Sequence, residues 1–271
     1  MPRLLFLRVL FVVIFSIHCA RAGGGPAGVV EPGMTEAWRL LASGDASAAR
    51  MEFERLENRE ARVGLGVALL AVQPRTAAGL ERARRLFEDV AAEPSKDDWT
   101  VLATYLLARW HQLHAIAPDA AEGERRLLAL LEEHAGHPWA DVAAPKLAIA
   151  WLNAGVDDAE HGRREERLRG LLGRLKDPGA IRDARLAMAD AALRRNANHR
   201  SALPHYLALL EEADALRPSL RARVLFQAAE SSLALGLKEE ARAGWLRFLS
   251  EFPNDYRAGE ATRRAKEISA P

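Results

Sequence analysis

A repeated spacing of small and aromatic residues constrains the fold of this chain more than any other feature. Ala49 and Phe53 recur as Ala83 and Phe87, with the same offset for both residues. A fixed period of about 34 residues is typical of helix–turn–helix units, which cannot bury their apolar faces alone and stack against their neighbours. The repeat therefore predicts an all-α architecture, and it indicates a protein that works by presenting a surface.

The segment 1–22 has the layout of a secretory signal peptide. Arg3 and Arg8 precede the apolar stretch 9–17, and a small-residue cleavage pattern ends at Ala22. A retained membrane anchor is the alternative, but the apolar stretch would span only about 14 Å as a helix, against a bilayer core of about 30 Å. We expect a mature chain without a transmembrane span, located in the periplasm or secreted.

Cys19, the single cysteine of the chain, raises a further alternative, a lipid-anchored protein. The residues before it, Ser16, Ile17 and His18, differ from a bacterial lipobox, which has an aliphatic residue three places upstream and a small residue next to the cysteine. The sequence thus does not favour lipid attachment. Cleavage after Ala22 leaves no thiol, which excludes disulfides, thiolate metal sites and cysteine nucleophiles in the mature chain.

The charge of the mature chain gives no sign of a nucleic-acid partner. Without Arg3, Arg8 and Arg21, the 38 basic residues become 35, against 37 acidic ones. Binding to a phosphate backbone normally requires a clear excess of basic residues. We therefore expect a protein or peptide partner and no nucleic acid.

Helical periodicity runs through the chain from residue 35, and no segment alternates like a β-strand for more than a few residues. Residues 23–34, which begin with three glycines, are predicted to be a flexible lead-in, and 35–271 a helical domain. Thirteen helices are predicted, at 35–43, 46–57, 60–72, 77–92, 97–116, 120–135, 140–154, 159–175, 179–195, 199–215, 219–235, 238–251 and 255–268. Side-chain oxygens are placed to cap helix N-termini at Thr35, Asp45, Asp119, Asn198 and Ser219.

Several units of the chain carry the residues of a known two-helix repeat. Its pattern is a small residue midway along the first helix, a turn glycine, an alanine early in the second helix, an aromatic residue four positions later and a proline before the next unit. The first unit contains Gly44, Ala49 and Phe53. The fullest match is the last unit, with Ala229, Gly236, Ala241, Trp245 and Pro253. The chain resembles the tetratricopeptide repeat family, strongly at its ends and loosely in the middle.

This resemblance implies a right-handed superhelical solenoid of about six helix–turn–helix hairpins, closed by a C-terminal capping helix. The marker residues of successive units recur at somewhat irregular intervals, at Phe53, Phe87, Leu131, Leu171, Tyr206 and Trp245. The proline-containing segments 133–141 and 251–259 further resemble repeat proteins of the bacterial cell envelope.

The sequence does not contain a recognisable catalytic or metal-binding pattern. His111 and His114, like His134 and His137, are three residues apart and could contribute to a zinc site, but the H-E-x-x-H pattern is absent. No nucleophile elbow or phosphate-binding glycine loop occurs, and the glycines at 64–66 indicate close helix packing. We therefore expect no enzyme activity, no cofactor and no metal ion.

The resemblance also indicates where a partner binds, because the first helices of such hairpins line the concave surface of the solenoid. By helical register, the predicted partner-binding residues are Trp38, Lys146, Ile149, Asn153, Arg223, Gln227 and Glu230. A groove in which polar side chains lie among apolar ones suits an extended peptide or a partner helix. The predicted function is that of an exported, non-catalytic interaction scaffold in the bacterial cell envelope.

Two alternatives have support in the sequence. The six tryptophans could stack on sugars, which would make the chain an accessory or glycan-binding component of a polysaccharide- or peptidoglycan-processing system. A purely structural subunit that uses its convex face is the other alternative. Buried tryptophans would remove the basis of the glycan hypothesis, and a featureless groove would favour the structural subunit.

Overall fold

The computed structural model describes residues 32–95 and 97–269. This part of the chain contains fourteen α-helices and one short 3-10 helix, and no β-strand. The helices are α1 (Pro32–Ser43), α2 (Ala46–Phe53), α3 (Arg59–Ala71), α4 (Ala77–Ala91), α5 (Asp98–Leu113), α6 (Ala120–His134), α7 (Pro138–Asp141), α8 (Ala143–Leu152), α9 (Asp158–Leu172), α10 (Pro178–Asn196), α11 (His199–Glu211), the 3-10 helix (Ala213–Ala215), α12 (Pro218–Ala234), α13 (Lys238–Glu251) and α14 (Ala258–Ser269).

Each of the thirteen predicted helices corresponds to helical structure, which confirms the all-α prediction. The range predicted at 140–154 is two helices, α7 and α8, separated at Val142. The interruption has a local cause, because Pro145 has no amide proton to donate to the carbonyl four residues earlier and is accommodated in the first turn of a new helix. The signal peptide predicted at 1–22 lies outside the described residues.

Three of the five predicted caps are confirmed. The side chains of Asp45, Asp119 and Asn198 each accept a hydrogen bond from the amide three residues later. Thr35 and Ser219 were wrongly predicted, since both lie inside helices. At Ser219 the reason is the preceding proline, which occupies the first helical position of α12 and is pre-organised for it.

The chain forms two compact units, one up to Arg126 and one from Leu127. In the first unit, α1 packs with α2 and α3 packs with α4, and the first helices α1, α3 and α5 also contact one another in series. In the second unit, α8 packs against α10, and the helices from α10 to α14 pack in chain order. Serial packing of this kind is characteristic of helical repeats.

The phenylalanines of the repeated pattern fill the space between helices of the first unit. Phe53 and Phe87 are both buried. A Cβ atom at Gly64 would lie 2.3 Å from Cε1 of Phe53, and one at Gly66 would lie 2.4 Å from Cε1 of Phe87. The glycines of α3 therefore admit an aromatic ring on each side, as their sequence pattern indicated.

In the second unit, tyrosine and tryptophan take the same role. Tyr206 is buried in a cluster with Leu209 and Val224. Trp245 and Phe248 are buried against small side chains from α12, α13 and α14, namely Ala222, Ala229, Ala241, Ala261 and Ala265. All three large rings belong to second helices and contribute to the core between hairpins.

A second period becomes visible in the positions where first helices begin. The helices α5, α7, α10, α12 and α14 begin at a constant interval, at Asp98, Pro138, Pro178, Pro218 and Ala258. The three prolines occupy the first helical positions, where the missing amide proton costs nothing. The later part of the chain therefore repeats with a longer unit than the one that separates Phe53 from Phe87.

The last helix closes the second unit. Ala261 and Ala265 of α14 are buried, while Glu260 forms ion pairs with Arg263 and Arg264 on its outer side. None of the helices in residues 32–95 and 97–269 is both long and apolar enough to cross a lipid bilayer.

Candidate partner-binding face

The structure places one of the seven predicted partner-binding residues in a core. Trp38 is 5% exposed, and its Nε1 donates a hydrogen bond to Glu60 at 2.8 Å. Its ring meets that of Phe53 edge to face, with the centroids 5.0 Å apart. Trp38 thus contributes to the packing of the first unit and offers little surface to a partner.

The other six predicted residues belong to α8, its C-terminal cap and α12 in the second unit. Asn153, at the cap of α8, donates to the carbonyl of Ile149 at 2.7 Å and accepts from Arg194 of α10 at 3.0 Å. Ile149 is 51% exposed. The end of α8 is therefore linked to α10 by a solvent-accessible hydrogen bond, beside an exposed apolar side chain.

A second link joins α10 to α12. Arg223 of α12 forms an ion pair with Asp190 of α10 at 3.2 Å. The buried Tyr206 of α11 donates its hydroxyl to the other oxygen of Asp190 at 3.0 Å. Burial raises the pKa of the Tyr206 phenol, and the negative charge of Asp190 adds to the effect, so the phenol stays protonated and keeps donating.

A third link joins α12 to α14. Glu230 lies seven residues after Arg223, with the half-buried Gln227 between them, and Arg264 of α14 approaches Glu230 at 3.7 Å. Residues seven apart lie on the same side of an α-helix. Two of the three links therefore involve one side of α12, and together the links join α8, α10, α12 and α14.

Helix α10 contributes residues that the sequence analysis missed. Asp183, Asp190 and Arg194 are spaced by seven and four residues, which places them on one side of the helix. The signal was present as a charged stripe at helical spacing, but the fifth hairpin was not assigned any binding residue. We call the surface formed by α8, α10 and α12 the first-helix face; it consists of Lys146, Ile149, Asn153, Asp183, Asp190, Arg194, Arg223, Gln227 and Glu230.

Asp183 differs from the other charged residues of the first-helix face. It is exposed and lies on the same side of α10 as Asp190. Desolvation by the surrounding protein raises the pKa of Asp183, although Lys146, Arg182 and Arg217 favour the charged form.

Most of the indole surface of the protein is packed away from solvent. Five of the six tryptophans are buried, and Trp99 is half-buried with its ring stacked on Trp38 at a centroid distance of 6.4 Å. The glycan hypothesis depended on accessible indole rings, and it loses most of that support.

The histidines predicted as possible metal ligands have other roles or neighbours. His137 caps α7 and accepts from the amide of Trp139 at 3.2 Å. Desolvation lowers the pKa of His111, and the nearby Arg126 acts in the same direction. No group of three or more histidine, cysteine or carboxylate side chains in the described segments is arranged to hold a metal ion.

No protein-family model matches this sequence, and no curated protein matches it. The packing within each unit defines a class, an all-α protein with a repeat-like arrangement of helices. The resemblance to tetratricopeptide repeats depends on sequence features such as Gly44, Ala49 and Phe53 near one end and Ala241 and Trp245 near the other.

Proposed function

We propose that this protein is an exported, non-catalytic scaffold of the tetratricopeptide type, which binds a protein partner on its first-helix face. The observation that carries the proposal is the row of links Asn153–Arg194, Asp190–Arg223 and Glu230–Arg264. They hold four successive first helices to one another and leave polar side chains along one continuous face. A right-handed superhelical arrangement would make that face concave.

The chemistry of the first-helix face suits a polypeptide segment. Packed helices lie about 8–10 Å apart, and an extended peptide advances about 6.6–6.8 Å for each pair of residues, so its alternate side chains can reach successive helices. Asn153 and Gln227 offer amides that can donate to and accept from a peptide backbone. Ile149 adds an exposed apolar contact.

The proposed location is the periplasm or the cell envelope, because the segment 1–22 has the pattern of a cleaved signal peptide. The mass of the protein purified from an envelope fraction tests this. A mature chain that begins at Gly23 is the expected result. A mass that includes the segment 1–22 would contradict cleavage, and an added acyl mass at Cys19 would indicate a lipoprotein.

The binding function can be tested with a pair of charge-reversal variants. Arg223 is 42% exposed on the first-helix face, whereas Arg247 is 46% exposed on the second helix α13. We expect Arg223→Glu to abolish co-purification of an envelope partner and Arg247→Glu to leave it unchanged. Circular dichroism of both variants controls for folding.

Equal loss with both variants, or no loss with either, would count against a binding role for the first-helix face. A partner whose binding depends on Arg247 alone would instead favour the structural subunit that uses its convex side.

A further inference from the structure

Helix α9 differs from other second helices in the residues that it buries. The helices α2, α4, α11 and α13 each bury an alanine and, four residues later, an aromatic ring, as with Ala202 and Tyr206 in α11. At the corresponding positions α9 has Arg167, whose side chain is 51% exposed, and Leu171. Helix α9 therefore lacks both the small residue that allows close approach and the ring that fills the space between hairpins.

The helices on either side of α9 pack against each other without it. Each of α2, α4, α11 and α13 packs closely on the first helix that follows it, whereas α9 has few contacts with α10. Helix α8 instead packs directly against α10. The links Asn153–Arg194 and Asp190–Arg223 do not involve α9 either. Separation of α9 would thus leave the first-helix face in place.

Apart from two buried leucines, the contacts that attach α9 to its neighbours are polar. Asp158, which is 82% exposed, pairs with Arg195 of α10 at 3.0 Å, and such an exposed pair contributes little. Glu165 accepts a hydrogen bond from Ser201 of α11. The buried Nε2 atom of His161 has no hydrogen-bond partner among the described residues, which costs stability.

Two glycines further weaken α9. No atom of the described neighbouring elements lies within 4 Å of a Cβ built at Gly162 or at Gly170. At Gly244 of α13, by contrast, a Cβ would lie 3.0 Å from the Cβ of Ala229. Close packing accounts for the glycine of α13 but not for those of α9, where each glycine makes the helix less stable than alanine would.

Helix α9 covers the indole ring of Trp151 on α8. Trp151 is 8% exposed, and the Cζ atoms of Arg164 and Arg167 lie 5.7 and 6.0 Å from the centroid of its ring. Contacts between a cation and a ring are weak where water has access to the cation. Movement of α9 away from α8 removes both guanidinium groups and exposes a large apolar ring.

We propose that α9 opens locally in the folded protein and thereby exposes Trp151, while α8 and α10 stay packed against each other. Segments with little buried apolar surface open at a lower free energy than the whole domain. Helix α9 thus acts as a gate over the indole ring. The inference is independent of the proposed function, since it requires no partner on the first-helix face.

Native-state hydrogen exchange of the purified protein, followed by mass spectrometry, tests the opening. We expect amides of α9 to exchange faster than those of α8 and α10 by a factor of about ten or more. The double variant Gly162→Ala/Gly170→Ala should slow exchange in α9 about tenfold, because alanine stabilises the closed helix. The matched control Gly259→Ala changes an exposed glycine of α14 and should leave exchange in α9 unaltered.

A substitution outside α9 separates local opening from unfolding of the whole unit. Val224 is fully buried in the cluster that contains Tyr206 and Leu209. Val224→Ala should accelerate exchange in α11 and α12, since it weakens the contacts that their unfolding breaks. It should leave α9 unaffected, because a local opening of α9 does not disturb that cluster.

Chemical labelling tests whether the opening exposes the ring. The probe is 2-hydroxy-5-nitrobenzyl bromide, which reacts with accessible indoles, and peptide mapping identifies the labelled tryptophan. We expect Trp151 to react faster than the fully buried Trp245. The substitutions Gly162→Ala and Gly170→Ala together should slow labelling of Trp151 by the same factor as exchange in α9.

The possible failures are distinguishable. Exchange in α9 as slow as in α10, or an equal acceleration of α9 and α11 by Val224→Ala, would overturn the local opening. Fast exchange in α9 with labelling of Trp151 that ignores the glycine substitutions would overturn the role of α9 as a gate. Neither result bears on the first-helix face, which Arg223→Glu tests separately.

Discussion

Two glycines of α3 lie where the aromatic rings of neighbouring helices approach most closely. Because a Cβ atom at Gly64 would lie 2.3 Å from the Phe53 ring, Gly64→Ala forces the ring or the helix to move. We expect a loss of about 1–3 kcal/mol in the free energy of unfolding, as for other overpacked sites. Urea denaturation of the purified variant measures it.

The control for that substitution is Gly162 in the exposed part of α9. No atom of the described neighbouring elements lies within 4 Å of a Cβ built there. Gly162→Ala should therefore stabilise the protein by about 0.5–1 kcal/mol, since glycine is unfavourable inside a helix. If Gly64→Ala were as harmless as Gly162→Ala, the close packing of Phe53 on α3 would be wrong.

Asp141 of α7 is a fully buried residue whose carboxylate accepts backbone hydrogen bonds from two loops. Its Oδ1 accepts from the amide of Gly136 at 2.7 Å, and its Oδ2 accepts from Lys176 and Asp177 at 2.7 and 2.8 Å. Asp141→Asn replaces one acceptor oxygen with a donor and leaves at least one amide unsatisfied. We expect a loss of about 1–3 kcal/mol by chemical denaturation.

A matched change at the surface separates this effect from the loss of a negative charge. Asp158→Asn alters a highly exposed carboxylate that pairs with Arg195, and such pairs contribute little. Its unfolding curve should stay close to that of the natural protein. A similar shift in both variants would mean that the amide contacts of Asp141 do not matter.

Burial of the repeated alanine and phenylalanine residues was predictable from the sequence, because small and aromatic residues that recur at a fixed period are typical of the positions where repeat helices pack. Ala49, Phe53, Ala83 and Phe87 are all buried. The role of Asp141 was not predictable, since the amides that it accepts from follow no side-chain pattern and two of them lie far along the chain. The burial of Trp38 was not predictable for a related reason: helical register alone does not reveal that the ring of Phe53 packs against it.

At the scale of single elements, α11 contains a buried histidine that limits stability in acid. Burial lowers the pKa of His205 to about 4, and Arg185 acts in the same direction. An unfolded histidine has a pKa of about 6.5, so between these two values the unfolded chain binds more protons and stability falls as the pH falls. The loss attributable to His205 between pH 7 and 4 is at most about 3 kcal/mol.

The substitution His205→Leu tests this contribution. Carboxylates also titrate in this range. The informative quantity is therefore the difference in the free energy of unfolding between the natural protein and the variant, measured at pH 7, 5 and 4. Below about pH 6.5 the natural protein should lose more stability than the variant. Parallel pH profiles would show that His205 is not desolvated in the folded state.

The positions of the helices were predicted more accurately than their ends. Proline determines several of these ends: Pro218 starts α12 one residue before Ser219, and Pro145 separates α7 from α8. Both effects follow from the missing amide proton of proline. The constant interval between Pro138, Pro178 and Pro218 was visible in the sequence, but the marker residues of the second helices obscured it because their spacing is irregular.

At the scale of the whole molecule, the mostly serial packing of helices within each unit could be predicted because repeat units contact mainly their neighbours. The links across the first-helix face could not, since each joins residues on different helices, as in Asn153–Arg194 and Asp190–Arg223. Helical register identifies the side of a helix, but the pairing of polar side chains depends on how two helices are placed against each other. This is why the residues predicted from the sequence lie on α8 and α12, and why the charged stripe on α10 was not assigned.

Serial packing has a consequence for how the second unit comes apart. Trp245 is buried among residues of α12, α13 and α14, and its truncation to alanine should cost about 3–5 kcal/mol. Because helices in such an array contact mainly their neighbours, that loss should open the end of the array first. In Trp245→Ala, amide hydrogens of α13 and α14 should exchange much faster, while those of α10 and α11 keep most of their protection.

The adjacent Leu246 is 46% exposed, so Leu246→Ala is the matched control and should leave exchange nearly unchanged. Hydrogen exchange followed by mass spectrometry resolves these segments, and an equal acceleration from α8 to α14 would mean that the second unit unfolds as one cooperative body.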